Sequence, residues 1–136
     1  MKPVILIPTY NESIAIVELL HKLSTLHETI GFDVVVLDDN SPDKTADIVD
    51  SLNFSWVEVL RRPGKAGLGA AYRAGFAHVL AKNSYSKIVT MDADGSHRVE
   101  DLPAMLNATN APISITLGTR WMPGGSVVNW PLSRQL

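Results

Sequence analysis

Two aspartates, Asp92 and Asp94, come directly after an apolar stretch at residues 87–91. In extended backbone the side chains at positions i and i+2 point the same way, so the two carboxylates can share one cation. Mg²⁺ and Mn²⁺ take oxygen ligands and commonly bind through one or two carboxylates together with substrate phosphates. The other interpretation is that one aspartate caps the following helix while its neighbour is solvated. The pair by itself leaves both interpretations open.

Three other polar clusters lie at residues 8–12, 38–43 and 118–121. None of them is decisive when its residues are taken singly. Asp38 and Asp39 belong to a type that is common in turns and helix caps. Tyr10 can be a half-buried core residue, and Glu12 can simply complement the dipole at a helix start.

A basic, glycine-rich loop at residues 61–69 precedes a predicted helix. Such an arrangement can hold phosphate through backbone N–H groups and the helix dipole. The standard phosphate motifs fail, because a Walker loop requires glycine where Val59 stands and a dinucleotide fingerprint requires glycine where Tyr72 stands. A turn with close helix packing is the competing interpretation. Spacing also assigns no partner to three further polar residues, His97, Arg120 and Arg134.

These residues need a scaffold, and the sequence predicts one of alternating strands and helices. Apolar runs predict strands at residues 2–8, 33–38, 56–60, 87–91 and 113–119. Helices are predicted at residues 11–26 with Asn11 as the cap, from Ser41 onward, at 68–82 and at 100–108. Residues 34–37 lack polar alternation, as in a parallel strand covered on both faces. Because ligands bind at the carboxyl ends of the strands in a doubly wound sheet, the four polar clusters are expected to converge on one edge.

The composition excludes several classes of protein. The chain has 136 residues, of which 46% are hydrophobic and 19% charged, and its net charge of −2 is typical of one small globular domain or part of one. It contains no cysteine, which excludes disulfide scaffolds, thiolate metal sites and cysteine nucleophiles. The balance of charges provides no broad basic surface, so no nucleic-acid partner is expected. No apolar run has the length of a membrane span or a signal peptide, and a cytoplasmic setting is expected.

Taken together, the motifs resemble those of the family-2 inverting glycosyltransferases, with the polyprenol (dolichol) phosphate mannose synthases as the nearest branch and the actinobacterial polyprenol enzymes as the nearest members. The resemblance runs in order and with family spacing from residue 4 to about residue 134. The motifs that carry it are Ile-Pro-Thr-Tyr-Asn-Glu at 7–12, Val-Leu-Asp-Asp-Asn-Ser-Pro-Asp-Lys-Thr at 36–45, Gly-Leu-Gly-Ala-Ala-Tyr-Arg-Ala-Gly at 67–75, Met-Asp-Ala-Asp-Gly-Ser-His at 91–97, Gly-Thr-Arg-Trp at 118–121 and Gly-Gly-Ser-Val-Val-Asn-Trp-Pro at 124–131.

The resemblance implies an α/β GT-A fold, in which a mostly parallel, Rossmann-like sheet is flanked by helices and the chain ends before the domain is complete. Residues 1–119 would form the nucleotide-sugar-binding region and residues 120–136 the start of an acceptor loop. Because that loop ends with the chain, we expect donor binding with poor turnover.

The resemblance also implies roles for individual residues. The nucleotide pocket would comprise Pro8, Tyr10, Glu12, Leu37 and Asp39, with Asp39 receiving the guanine N–H groups. The ribose and the metal-bound diphosphate would be held by Asp92, Ala93 and Asp94. Ser96 stands where relatives with glutamine add a metal ligand, which makes Asp92, Asp94 and Ser96 the candidate ligands of Mg²⁺ or Mn²⁺. Arg120 and Arg134 would hold the acceptor phosphate, and with Asp94 they are the candidate catalytic residues.

The implied activity is transfer of mannose from GDP-mannose to polyprenyl phosphate with inversion, giving a β-mannosyl phosphate lipid. The enzyme would act peripherally at the cytoplasmic face of a membrane, through a later part of the chain or a membrane partner.

Two alternatives stay open. Residues 88–96 resemble the opening motif of haloacid-dehalogenase phosphohydrolases, with Asp92 as nucleophile and Asp94 as general acid. The position of the motif and the absence of a lysine after it argue against that class. The other alternative is a non-catalytic nucleotide-binding fragment of a glycosyltransferase.

Overall fold

The computed structural model of the chain describes residues 1–112, 114–119, 121, 123–126 and 131–134. The chain divides into two compact units, Met1–Val99 and Glu100–Leu136. The predicted division between a nucleotide-sugar-binding region at residues 1–119 and an acceptor loop at residues 120–136 concerns function and stays a prediction.

The first unit is built on a parallel sheet of four strands, β1 (Lys2–Thr9), β2 (Asp33–Asp38), β3 (Val57–Arg61) and β4 (Tyr85–Thr90). Their order in the sheet is β3-β2-β1-β4. All three neighbouring pairs are parallel, which confirms the class of sheet predicted from the apolar runs. Thr9 pairs with Asp38, and Asp38 pairs with Arg61, so three strands end at the same level. The residues that follow these ends are therefore brought to one edge.

Three helices cover the sheet: α1 (Ser13–His27), α2 (Thr45–Ser51) and α3 (Leu68–Lys82). The bounds of α3 match the prediction. The predicted starts of α1 and α2 are wrong, because Glu12 rather than Asn11 occupies the cap position of α1, and α2 begins at Thr45 rather than at Ser41.

The difference has a physical cause in the loops after β1 and β2, whose polar groups bond to one another. Asn11 has a left-handed backbone (φ 53°), and its side-chain oxygen accepts a hydrogen bond from the Asp43 N–H over 3.2 Å. The Asp43 carboxylate accepts hydrogen bonds from the N–H groups of Ser13 (3.2 Å) and Thr45 (3.0 Å). One aspartate thus serves the first turns of both helices, which a local capping pattern cannot predict.

Close packing of α3 on the sheet depends on Gly75. A Cβ at this position would lie 2.8 Å from a methyl group of Leu37 and 3.2 Å from one of Leu6. Leu6 and Leu37 are fully buried and belong to the core between α3 and the sheet, together with Val4, Val35 and Val79. The glycine therefore lets the helix approach β1 and β2 more closely than a side chain would allow.

The second unit contains fewer regular elements in its described residues. A 3₁₀ turn at Val99–Asp101 leads into α4 (Leu102–Ala108), and a second 3₁₀ turn lies at Leu132–Arg134. The strand predicted at residues 113–119 is wrong for the described residues 114–119, which form no strand. A strand needs a neighbour to bond to, and residues 114–119 pair with no strand among the described residues.

Candidate functional site

A cavity of about 290 Å³ opens at the carboxyl edge of the sheet in the first unit. Its walls come from the loops after β1, β2 and β4 and from the start of α3. The lining residues are Pro8, Thr9, Tyr10, Glu12, Asp39, Lys65, Gly67, Leu68, Ala71, Asp92, Ala93 and Asp94. The predicted convergence is confirmed for three of the four polar clusters. The fourth, at residues 118–121, lies in the second unit.

One wall of the cavity carries three carboxylates. Burial raises the pKa of Glu12, and the nearby charges of Asp94 and Asp92 raise it further. A cation bound between the groups offsets this repulsion, so the ionised forms of the carboxylates are then favoured. The oxygen donors of Asp92 and Asp94 fit a hard divalent cation that takes its remaining ligands from phosphate. In the described part of the chain, no group of three or more acidic or histidine side chains is arranged as a metal site.

A closed turn at residues 92–97 holds the Asp92 and Asp94 pair. The Ser96 side chain lowers the pKa of Asp94 by hydrogen bonding, and its N–H donates to Asp94 Oδ1 over 2.9 Å. The Asp92 N–H donates to His97 Nδ1 over 3.0 Å, which places the proton of a neutral His97 ring on Nε2. Gly95 occupies the left-handed position that the turn requires (φ 81°). Ser96 and His97 therefore shape the turn that presents the two carboxylates.

The cavity lining also includes one partner of a nearly buried ion pair. Arg62 Nη1 donates to Asp39 Oδ1 over 2.8 Å, and the side chains are 13% and 8% exposed. Backbone hydrogen bonds hold both residues, from the Asp39 N–H to the Thr9 carbonyl (3.2 Å) and from the Arg62 N–H to the Asp38 carbonyl (2.8 Å). Asp39 lines the cavity, whereas Arg62 lies behind it.

Asp38, the neighbour of Asp39, has a different environment. It is 1% exposed, and its Oδ1 accepts hydrogen bonds from the hydroxyls of Thr9 (2.8 Å) and Ser41 (2.6 Å). Its Oδ2 accepts from the Ser41 N–H over 3.0 Å, and the Ser41 hydroxyl oxygen in turn accepts from the Asn11 N–H over 3.0 Å. Asp38 therefore joins the loops after β1 and β2, and Asp39 is the one that faces the cavity.

The loop before α3 contributes a cation to the mouth of the cavity. Lys65 Nζ lies 4.6 Å from the centroid of the Tyr10 ring, a cation–π contact. Gly67, with φ 88°, turns the chain into α3, so the positive end of this helix also borders the cavity. The sequence allowed a phosphate contact of this loop through backbone N–H groups and the helix dipole, with a simple turn as the alternative, and it did not single out Lys65 or Arg62. Contacts between residues so far apart in the chain left no signal in the spacing.

The predicted site residues fall into three groups. Those that line the cavity are Pro8, Tyr10, Glu12, Asp39, Asp92, Ala93 and Asp94. Leu37 is instead fully buried against Gly75, and Ser96 is exposed in the turn. Arg134 ends a 3₁₀ turn in the second unit, and Arg120 lies outside the described residues.

Comparison with known sequences gives a consistent result. The profile of glycosyl transferase family 2 matches residues 4–136. The chain is 41% identical over 136 residues to polyprenol monophosphomannose synthase of Mycolicibacterium smegmatis, covering 98% of this chain and 50% of that protein. It is 44% identical over 139 residues to undecaprenyl-phosphate mannosyltransferase of Micrococcus luteus, covering 100% and 55%. It is 36% identical over 137 residues to dolichol-phosphate mannosyltransferase of Pyrococcus furiosus, covering 100% and 38%. The chain thus spans about half the length of the first two relatives.

Two solved structures share the fold. The mannosyltransferase PcManGT from Pyrobaculum calidifontis, in complex with GDP-Man and Mn²⁺, matches 76% of this chain and 30% of its own, with a TM-score of 0.58 and 24% identity. TarS residues 1–349 of S. aureus match 79% of this chain and 33% of their own, with a TM-score of 0.60 and 28% identity. None of the helices in the described ranges has the length and hydropathy of a membrane-spanning segment.

Proposed function

The chain belongs to glycosyl transferase family 2 and has a GT-A fold, and from this premise we propose that it transfers mannose from GDP-mannose to a polyprenyl phosphate. The observation that carries the proposal is the cavity at the carboxyl edge of the sheet. Asp39 and the Asp92 and Asp94 pair line this one cavity. The names of the relatives, all mannose synthases or mannosyltransferases acting on lipid phosphates, support the choice of donor and acceptor.

In the proposed donor site, different residues of the cavity lining hold the two ends of GDP-mannose. Asp39 accepts hydrogen bonds from N1–H and the exocyclic amine of guanine, which a carboxylate can do at the same time. Pro8, Tyr10 and Glu12 complete the pocket, and the predicted contact of Leu37 would come from its backbone. Asp92, Ala93 and Asp94 hold the ribose and the diphosphate.

The carboxylates of Asp92 and Asp94 would hold one Mg²⁺ or Mn²⁺ ion, with Ser96 orienting Asp94 or adding a ligand. When bound, such an ion supplies Lewis-acid stabilisation of the diphosphate leaving group. Repulsion among these carboxylates supports this assignment, because burial and the charges of Asp94 and Asp92 raise the pKa of Glu12 and a bound cation would offset those charges.

The reaction needs positioning more than proton transfer. An oxygen of the polyprenyl phosphate attacks the anomeric carbon of mannose, the bond from that carbon to the diphosphate breaks, and the configuration inverts. The phosphate monoester is already ionised at neutral pH, so no general base is required, and orientation together with charge stabilisation carries catalysis. Arg120 and Arg134 are proposed to hold the acceptor phosphate, since a guanidinium donates two hydrogen bonds at once.

The acceptor also sets the proposed location. A polyprenyl phosphate is a membrane lipid, so the protein would act peripherally at the cytoplasmic face of a membrane. The phosphohydrolase alternative has no support among the relatives. It predicts release of phosphate from a generic phosphatase substrate with Mg²⁺, whereas we expect none.

A binding experiment tests the donor site. Asp94→Asn should weaken binding of GDP in the presence of Mn²⁺ by about 1–3 kcal/mol, the range for loss of a charged contact. Calorimetry on the two proteins measures this difference. Asp47→Asn is the matched control, because Asp47 pairs with Arg61 at the surface and does not line the cavity. Equal GDP affinity in the parent and Asp94→Asn would overturn the assignment.

The transfer reaction itself is tested with labelled GDP-mannose, a short polyprenyl phosphate and Mn²⁺. We expect a labelled mannosyl lipid that does not form without the acceptor. Binding of ADP as tightly as GDP would argue against a guanine nucleotide as donor.

A further inference from the structure

We propose that Arg62 is the positioning residue for base selection, because it holds the Asp39 carboxylate in the orientation that accepts guanine and rejects adenine. The inference rests on the proposed function, and specifically on a guanine nucleotide as the donor. Arg62 acts through Asp39, since Asp39 lines the cavity and Arg62 does not.

The geometry of the pair holds the Asp39 carboxylate in place. The 2.8 Å hydrogen bond from Arg62 Nη1 ends on Oδ1 of Asp39. Both side chains are largely excluded from water, at 13% and 8% exposure. A charged hydrogen bond in such surroundings is stronger and less mobile than one at the surface. The carboxylate is therefore fixed about its side-chain torsions before any nucleotide arrives.

The backbones of Arg62 and Asp39 are both anchored to the sheet. The N–H of Arg62 donates to the carbonyl of Asp38 over 2.8 Å, and the N–H of Asp39 donates to the carbonyl of Thr9 over 3.2 Å. Both hydrogen bonds lie at the ends of neighbouring strands, where the sheet register sets the spacing. The guanidinium thus reaches Asp39 from a rigid support, and a shift of the loop at residues 63–67 need not move it.

Guanine and adenine differ in the groups that they present to a carboxylate. Guanine presents two adjacent donors, N1–H and the exocyclic amine, whereas adenine presents an acceptor at N1. A fixed carboxylate matches the two donors and repels the adenine acceptor. A carboxylate that is free to rotate can turn away from the adenine acceptor and avoid the repulsion. The preference for guanine over adenine is then smaller. Loss of Arg62 also leaves the Asp39 charge buried without its partner, which weakens the site further.

The neighbouring Arg61 shows that a positive charge at the end of β3 is not sufficient for contact with Asp39. Arg61 lies on the outside, where it bonds to Asp47 (3.0 Å) and Asp50 (2.6 Å) of α2 with its side chain 49% exposed. It has the same charge and adjacent position but no contact with Asp39. Arg61→Gln is therefore a matched control for Arg62→Gln.

The test measures selectivity as a ratio. Calorimetry with GDP, IDP and ADP, each with Mn²⁺ present, is carried out on the parent, Arg62→Gln, Arg62→Lys and Arg61→Gln. We expect Arg62→Gln to lower the ratio of GDP to ADP affinity about tenfold, the scale of one charged hydrogen bond. Arg62→Lys should restore part of the ratio, because an ammonium keeps the charge but lacks the planar fork. Arg61→Gln should leave the ratio unchanged. IDP, which lacks the exocyclic amine, should bind less tightly than GDP to the parent, and this difference should shrink in Arg62→Gln.

A double-mutant cycle separates positioning from a general effect on folding. In an Asp39→Asn background, Arg62→Gln should no longer change the ratio, because the group through which it acts has been altered. An equal loss of GDP and ADP affinity in Arg62→Gln, or an unchanged ratio, would overturn the inference. If the parent itself binds ADP as tightly as GDP, the proposed donor is wrong and the inference falls with it. If the parent prefers GDP and the ratio of GDP to ADP affinity changes in Asp39→Asn but not in Arg62→Gln, the inference about Arg62 is wrong and the proposed donor stands.

Discussion

Replacement of Asp38 by asparagine should destabilise the first unit, although Asp38 does not line the cavity. Its carboxylate is 1% exposed and accepts three hydrogen bonds, two from Ser41 and one from Thr9. An asparagine has the same shape but only one acceptor oxygen, and its amide group donates. The substitution therefore isolates hydrogen bonding from packing.

The magnitude follows from the two possible orientations of the amide. If the NH₂ group takes the place of Oδ2, it faces the N–H of Ser41, which is then left without an acceptor. If it takes the place of Oδ1, the hydroxyls of Thr9 and Ser41 lose their common acceptor and must rotate. Either way at least one buried donor loses its partner, and the expected destabilisation is about 1–3 kcal/mol. Against a typical total stability of about 5–15 kcal/mol, this is a large fraction.

Urea unfolding of the parent and Asp38→Asn measures the difference. We expect a lower midpoint with an unchanged slope, since the surface exposed on unfolding stays the same. Asp47→Asn is the control, because the side chain of Asp47 is 68% exposed and its ion pair with Arg61 is a surface pair worth no more than about 1 kcal/mol. If Asp38→Asn were no less stable than Asp47→Asn, the reasoning that Asp38 joins the two loops would be refuted.

Two further predictions concern stability. Gly75→Ala should be less stable than Gly69→Ala by about 1–3 kcal/mol in urea unfolding. Both substitutions raise the helix propensity of α3, but only the alanine at position 75 would place its Cβ 2.8 Å from the buried Leu37. Equal stability of the two variants would contradict the close packing of α3. Burial raises the pKa of Glu58, but hydrogen bonds from Lys82 and His78 outweigh it and lower the pKa below the ordinary 4.5. The contribution of Glu58 to stability is thus present above about pH 4.5 and is lost as the pH falls through the lowered pKa. In Glu58→Gln the urea midpoint should therefore fall less steeply with decreasing pH in this acid range. The same pH dependence in the variant and the parent would count against the ion pairs of Glu58 with Lys82 and His78.

The four strands of the sheet and the helix α3 could be predicted from local pattern. The unbroken apolar run in β2 specified a strand covered on both faces, and the structure confirms it with residues 34–37 buried. The strand predicted at residues 113–119 was wrong for the described residues 114–119. A pattern records which residues prefer burial, but a strand forms only where another lies beside it.

Helix starts were less predictable, because short polar side chains have several partners within reach. Asn11 and Ser41 are both good caps by residue type, yet each bonds across the gap between the loops. Asp43, which suits the first turn of α2, accepts from the first turns of both helices. Whether such a side chain bonds to its own helix or to another loop depends on which loops the sheet brings together.

The sequence by itself determined the parallel α/β fold and the edge at which three of the four polar clusters meet, because these depend on periodicity and on the fixed geometry of βα units. Only the tertiary structure decided between the neighbours Asp38 and Asp39. The first bonds to Thr9, 29 residues away, and the second to Arg62, 23 residues away. Hydrogen-bond partners at such separations depend on the register of the strands and on the course of the loops. The strength of a buried ion pair depends in turn on the exclusion of water, which no local pattern of residues specifies.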